Sequence, residues 1–332
     1  MPIAELTKAA LAAAFLVSAV GATRAQETPS LGFPVLCTLG EDCMIQQTPD
    51  RDPGPGHTDY TCGTLAYDGH TGTDIRLPTR AAMRAGVDVV AAAPGRVRAT
   101  RDAMADIASD EPGAPDVAGR GCGNGVVLTH AGGWVTQYCH LAQGSIAVRQ
   151  GDVVAAGTVL GRIGLSGETH FPHLEFILRD PSGATVDPGD GQPLTAGCDA
   201  DGKPLWAEEV PLQPGGLLTT GLTTDAVPSY ADVRDHAPNV ENPSKDAAAL
   251  ILWAHFFGLR EGDVIALAIG GPDGEELVRD VHTMEKDRAA QFRAAGRRRP
   301  EAGWPPGTYR AQAGLFRGRE LVAQQRREFT IP

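Results

Sequence analysis

Gly125-Val126-Val127-Leu128-Thr129-His130, then Ala131-Gly132-Gly133, then Trp134-Val135-Thr136-Gln137-Tyr138-Cys139-His140 is the stretch that decides the fold. Two runs rich in β-branched and aromatic residues flank a short glycine turn, the pattern of an antiparallel hairpin. Centred on that turn, Cys122 and Cys139 face each other across the ladder, where a disulfide can form. Working outward, Val87–Ala93, Pro94-Gly95 and Arg96–Thr100 read as a further hairpin. Residues 101–120 are polar and rich in turn formers, so they read as a loop inserted between strands, a common place for a lid or substrate rim. Gly151–Gly161 and His173–Arg179 complete the set, and no helix of useful length is evident between 60 and 190. The expectation is an antiparallel β unit over residues 60–200.

Around this unit the chain divides further. Residues 26–59 read as an irregular arm, with Asp52-Pro53-Gly54-Pro55-Gly56-His57 as turn chemistry. A Pro- and Gly-rich stretch from Asp187 to Gly216 closes the unit. Beyond it, Ala247–Phe257 is apolar, Asp263–Ile269 alternates toward a Gly-Gly-Pro-Asp-Gly turn, and Gly307–Phe316 pairs with the final strand. Residues 217–332 are therefore expected to form an immunoglobulin-like β-sandwich. The fold class is all-β, with 41 Gly and 25 Pro in 332 residues favouring short strands and turns.

The formal net charge of -12 argues against nucleic acid as a partner, because counterion release needs a basic surface. Residues 1–25 read as a signal peptide: Lys8 is the positive region, Ala9–Val20 the apolar run, and Thr23-Arg24-Ala25 the cleavage site. The apolar run is too short to span a bilayer, and no later segment is long enough. The expected location is the periplasm or the exterior. Six cysteines suit that compartment: Cys37, Cys43, Cys62, Cys122, Cys139 and Cys198. With Cys122 and Cys139 paired, the remaining four allow three connectivities.

Three histidines and two carboxylates form one constellation. His70-Thr71-Gly72-Thr73-Asp74 places a nitrogen and an oxygen ligand four apart around a glycine that lets the chain bend. His173-Leu174-Glu175 is a strand segment, so His173 and Glu175 share a face while Leu174 and Phe176 point into the core. His140 ends the hairpin strand. Ligands from separate strand ends make a rigid site that leaves a position open for water.

Those segments, Gly69–Asp74, Tyr138–Leu141, Val153–Gly161 and Pro172–Phe176, resemble in order and spacing the lysostaphin/LytM-type metallopeptidases. The resemblance covers about 60–188. It implies an antiparallel metallopeptidase core, one zinc ion, and hydrolysis of peptide bonds in peptidoglycan or glycine-rich peptides. Carried over, the metal ligands are His70, Asp74 and the position of Glu175. His140 and His173 fall where the family has the histidines that polarise water or stabilise the oxyanion. This sequence departs from the family at Glu175, where the family has histidine. Two carboxylates leave a zinc site neutral, a weaker Lewis acid, and shift preference toward harder ions such as manganese. His170 is a candidate replacement nitrogen. The alternative to an enzyme is a non-catalytic LytM-type module that binds cell wall or activates another hydrolase, with or without metal. The C-terminal unit is expected to bind or position, and could receive a protein partner.

Overall fold

The computed structural model describes residues 28–198 and 200–332; the expected signal peptide lies outside them. The N-terminal half contains β1 (Met44–Gln47), β2 (Thr73–Arg76), α1 (Arg80–Ala85), β3 (Asp88–Val90), β4 (Gly95–Arg101), β5 (Asn124–Thr129) and β6 (Val135–Leu141). After these come β7 (Val153–Val154), β8 (Val159–Arg162), β9 (His173–Arg179) and β10 (Thr185–Val186). One sheet runs in the order β1-β2-β9-β6-β5-β4-β7, with β10 paired to β9. Every described pairing in it is antiparallel.

The sheet buries one face. Ile75, Val97, Val126, Leu128, Tyr138, Leu174, Phe176 and Leu178 meet in a single core, alternating along their strands with residues on the other face. The fully buried Tyr138 keeps its hydroxyl satisfied: it accepts from the Ala92 N–H at 2.9 Å and from the Thr136 hydroxyl at 3.2 Å.

Three local features differ from the sequence reading. The stretch 87–100 is not a hairpin: β3 pairs with β8, whereas β4 pairs with β5 and β7. Pro94-Gly95 turns the chain, but the turn carries it from the two-stranded β3–β8 sheet into the large one, with Val89 and Val97 still in one core. Within the arm, Met44–Gln47 is the edge strand β1, paired with β2. The third feature is α1, six residues long, which Thr79 caps by accepting the Ala82 N–H.

All six cysteines are bonded, as Cys37–Cys43, Cys62–Cys198 and Cys122–Cys139. Cys122 and Cys139 do not sit opposite each other in the ladder. Val126 pairs with Tyr138 and Asn124 with Leu141 across a bulge, so Cys122 lies beyond the strand. It folds back over Gly125, where any side chain would collide with the Cys122 sulfur and the Tyr138 carbonyl.

The C-terminal half contains β11 (Gly216–Thr223), α2 (Tyr230–His236), β12 (Ala249–Leu259), β13 (Val264–Gly270), β14 (Glu276–Thr283), β15 (Arg288–Arg298), β16 (Gly307–Arg317) and β17 (Glu320–Ile331). Sheets β11-β12-β15 and β14-β13-β16-β17 enclose a second core. Three strands facing four make a seven-stranded β-sandwich, with β14 joined to β13 and not to β15. Before it, Leu205, Trp206, Val210 and Leu212 pack on the first core.

The two halves touch through charged and apolar contacts. Arg84 bridges to Asp235 at 2.9 Å, Arg234 approaches Glu111 at 3.5 Å, and Met44 packs with Leu218 and Phe257. No helix among the described residues is long and apolar enough to cross a membrane.

Candidate metal centre

The β2–β9 pair builds the centre. Its register sets Asp74 across from Glu175 and Arg76 across from His173, with all four side chains on the face opposite the core. Gly72 serves this arrangement by its size. Its φ lies outside the left-handed region, but a Cβ there would come within 2.5 Å of Glu175 Cγ. The glycine therefore makes room for the Glu175 side chain, not for a bend.

His70, Asp74 and Glu175 converge, each offering one atom within 4.8 Å of the others, as a group that could hold a metal ion. His70 Nε2 lies 3.2 Å from Asp74 Oδ1, yet without hydrogen-bond geometry, and His70 Nδ1, His70 Nε2 and Asp74 Oδ1 are all buried without a hydrogen-bond partner among the described residues. Buried polar atoms are normally satisfied, so three orphans in one place fit a site that binds a cation. The donor set, one imidazole and two carboxylates, fits zinc or a harder ion.

His140 and His173 flank this group. His173 Nδ1 meets the Phe171 carbonyl at 2.9 Å, and His140 Nδ1 meets the Ser166 carbonyl at 2.8 Å. A carbonyl can only accept, so both histidines carry their proton on Nδ1. Their Nε2 lone pairs then face the carboxylates: His173 toward Asp74 Oδ1 at 3.5 Å and His140 toward Glu175 Oε2 at 3.6 Å. The two rings lie 4.6 Å apart. His140 is held at φ 62°, a left-handed conformation that costs a non-glycine residue energy and that recurs at functional sites. Its backbone N–H donates to the Cys122 carbonyl at 2.9 Å, so the neighbouring disulfide helps to hold it there.

Burial dominates the electrostatics. It pushes His140 down to about 3, helped by His173, and lowers His173 as well. For Glu175, burial and then the Asp74 charge push the carboxyl up to about 7. Burial also opposes the charging of Asp74 and His70, but their mutual attraction overcomes it: Asp74 is lowered and His70 raised.

The centre opens into a groove of about 640 Å³, whose walls include Gln46, Tyr67, Gln137, Glu168, His170 and, from β15 of the sandwich, Ala289. A larger cleft of about 750 Å³ between Met44, Pro78 and β11 lies away from the cluster. His170 is not brought into the ligand group; it is exposed on the rim, 3.4 Å from Asp110. Sequence reasoning missed Tyr67, whose ring lies 4.3 Å from the His70 ring, and Phe171, 4.6 Å from the His173 ring. Phe171 was findable: it stands two residues before His173.

Comparisons with known proteins bear on the chain's relationships. Residues 68–188 match the family model described as peptidase family M23. The cell division protein DipM of Caulobacter vibrioides (strain NA1000 / CB15N) is 42% identical over 57 residues, which span 17% of this chain and 9% of that protein. Among solved structures, a mutant catalytic domain of the prophage-encoded M23 protein EnpA from Enterococcus faecalis is 26% identical, covering 48% of this chain and 94% of its own, with a TM-score of 0.31. The catalytic domain of lysostaphin from Staphylococcus simulans is 22% identical, covering 41% and 86%, with a TM-score of 0.27. Over residues 68–188, then, the chain is similar to peptidase family M23.

Proposed function

We propose that this protein is an exported metalloendopeptidase that hydrolyses peptide bonds of peptidoglycan. The observation that carries the reading is the inward turn of two imidazole lone pairs and two carboxylates toward one another. Such groups repel unless a cation or a proton lies among them. Each backing carbonyl fixes a tautomer, as happens around metal-site histidines. In this reading His70, Asp74 and Glu175 would hold one zinc ion, with manganese as the harder alternative. Bound there, the ion supplies a water of lowered pKa and polarises the scissile carbonyl. His140 and His173, both neutral, are placed to take the proton of the attacking water and return it to the leaving amine. The groove takes the peptide in an extended form along the sheet.

Export is supported by the bonding of all six cysteines, since disulfides persist in oxidising compartments. The domain boundaries follow the two cores: a peptidase unit over 60–200, extended by β1, and an accessory sandwich over 217–332 that binds wall or a protein partner.

The test is metal analysis plus cleavage of cross-linked muropeptides by wild type, Glu175→His, His70→Ala and Asp74→Ala. Zinc-dependent cleavage that both alanine variants lose supports the reading. A second reading, a non-catalytic wall-binding or hydrolase-activating module, is favoured by the protonation of Glu175 up to about pH 7. It takes over if wild type binds no metal, cleaves nothing, and gains nothing from Glu175→His.

A further inference from the structure

Arg76 is a buried cation that the proposed chemistry does not use. Its side chain shares the site face of β2 with Asp74, and it is 3% exposed. An uncompensated buried charge is costly, yet among the described residues Arg76 forms no ion pair, and the Asp74 carboxylate favours its charge without one. It donates to the Gln46 side-chain oxygen and to the Leu77 carbonyl, and its guanidinium lies 4.3 Å over the Phe171 ring.

Phe171 in turn governs His173 in two ways. The two ring centroids lie 4.6 Å apart with the planes tilted by 32°, so the Phe171 ring limits how the imidazole can turn. The Phe171 carbonyl accepts the Nδ1 proton at 2.9 Å, which sets the tautomer. Nearby, Arg234 of α2 lies 3.5 Å from Glu111, a loop residue that bonds Arg80 of α1 at 2.6 Å, and Ser109 of the same loop donates to the Thr169 carbonyl.

We infer that Arg76 is a positioning residue, which holds Phe171 and thereby fixes the orientation and tautomer of His173. The kinetic part of the inference rests on the peptidase reading; the structural part does not.

The experiment uses the full chain with 15N-labelled histidine, as wild type, Arg76→Met, Arg76→Lys and Phe171→Leu. Wild type is expected to show His173 protonated at Nδ1 alone. Arg76→Met removes the charge and the planar fork but keeps the stem, so His173 should exchange between tautomers while His140, backed by Ser166, keeps its own. Arg76→Lys restores a cation without the flat face that lies on Phe171 and recovers only part of the wild-type signal. In the muropeptide assay, Arg76→Met should lower kcat by about tenfold and leave KM within about twofold. An unchanged His173 spectrum in a cooperatively folded Arg76→Met protein overturns the inference. Should that variant not fold, Arg76→Lys decides: a weakened single-tautomer signal supports the inference and a fully wild-type spectrum overturns it, while Phe171→Leu, which keeps the carbonyl, loosens the ring orientation alone. If wild type cleaves no muropeptide, the peptidase reading fails and the tautomer measurement still decides the role of Arg76.

Discussion

Asp74 and Glu175 are register partners across β2 and β9, two carboxylates on one face of one sheet. With no metal bound they compete for a single proton, and Glu175 keeps it up to about pH 7 while Asp74 ionises. The folded pKa of Glu175 is raised above its ordinary value of 4.5. Its contribution to stability is therefore full below about pH 4.5 and lost as the pH rises through about 7. Melting curves of metal-free protein should show wild type losing more stability from pH 5 to pH 8 than Glu175→Gln. Equal slopes for the two proteins would refute this.

Metal uptake should have the opposite pH dependence. A ligand must be deprotonated to bind, so zinc affinity of wild type should rise steeply, on the order of tenfold, between pH 6 and pH 8. Glu175→His removes the second carboxylate and should strengthen binding at pH 6 and raise cleavage at neutral pH. Titration calorimetry of the two proteins at both values checks it.

Arg51 anchors a buried network away from the centre. It is 1% exposed and bonds both Asp190 oxygens at 2.9 Å, with Asp187 3.8 Å away. Burial pushes Asp187 up to about 7 even so. Breaking a buried pair from one side strands the other charge, so Arg51→Ala should cost about 3–5 kcal/mol in urea unfolding. A loss below about 1 kcal/mol would show that water reaches these carboxylates.

Much of this was legible in the chain. Strict alternation placed His173 and Glu175 on one face and Leu174 and Phe176 in the core, and the glycine turn at 131–133 announced the β5–β6 hairpin. What escaped was non-local. The β3–β8 pairing joins Asp88 to Arg162, a choice made by burial and not by the tempting Pro94-Gly95 turn between them and β4. Met44–Gln47 is a strand only because β2 offers it an edge. Ala289 reaches the groove from the other half of the chain, which no periodicity can announce.

Peptide mapping without reduction should recover the three linkages seen here, and any other pairing would refute them. The loop closed by Cys62–Cys198 spans 136 residues, against 17 for Cys122–Cys139. Longer loops lose more unfolded-state entropy, so replacing the Cys62 and Cys198 pair by serine should cost the more, about 4–5 kcal/mol against about 3. The reverse order would point to strain or residual denatured structure.

Residues 217–332 have a separate core, including Leu252, Leu267, Tyr309 and Leu315. Expressed alone, they should melt cooperatively with a β-type circular dichroism spectrum. A featureless, gradual melt would show that the sandwich needs the N-terminal half.

The Cys62–Cys198 bond also decides how the molecule bears tension. A pull between the two chain ends passes straight through that covalent link, so the 136-residue loop it closes carries no load. β1 can be peeled from the sheet edge and the sandwich can unravel, while the segments bearing His70, Asp74, His140, His173 and Glu175 stay slack. A protein tethered at both ends to a wall under turgor would stretch around its metal centre and not through it.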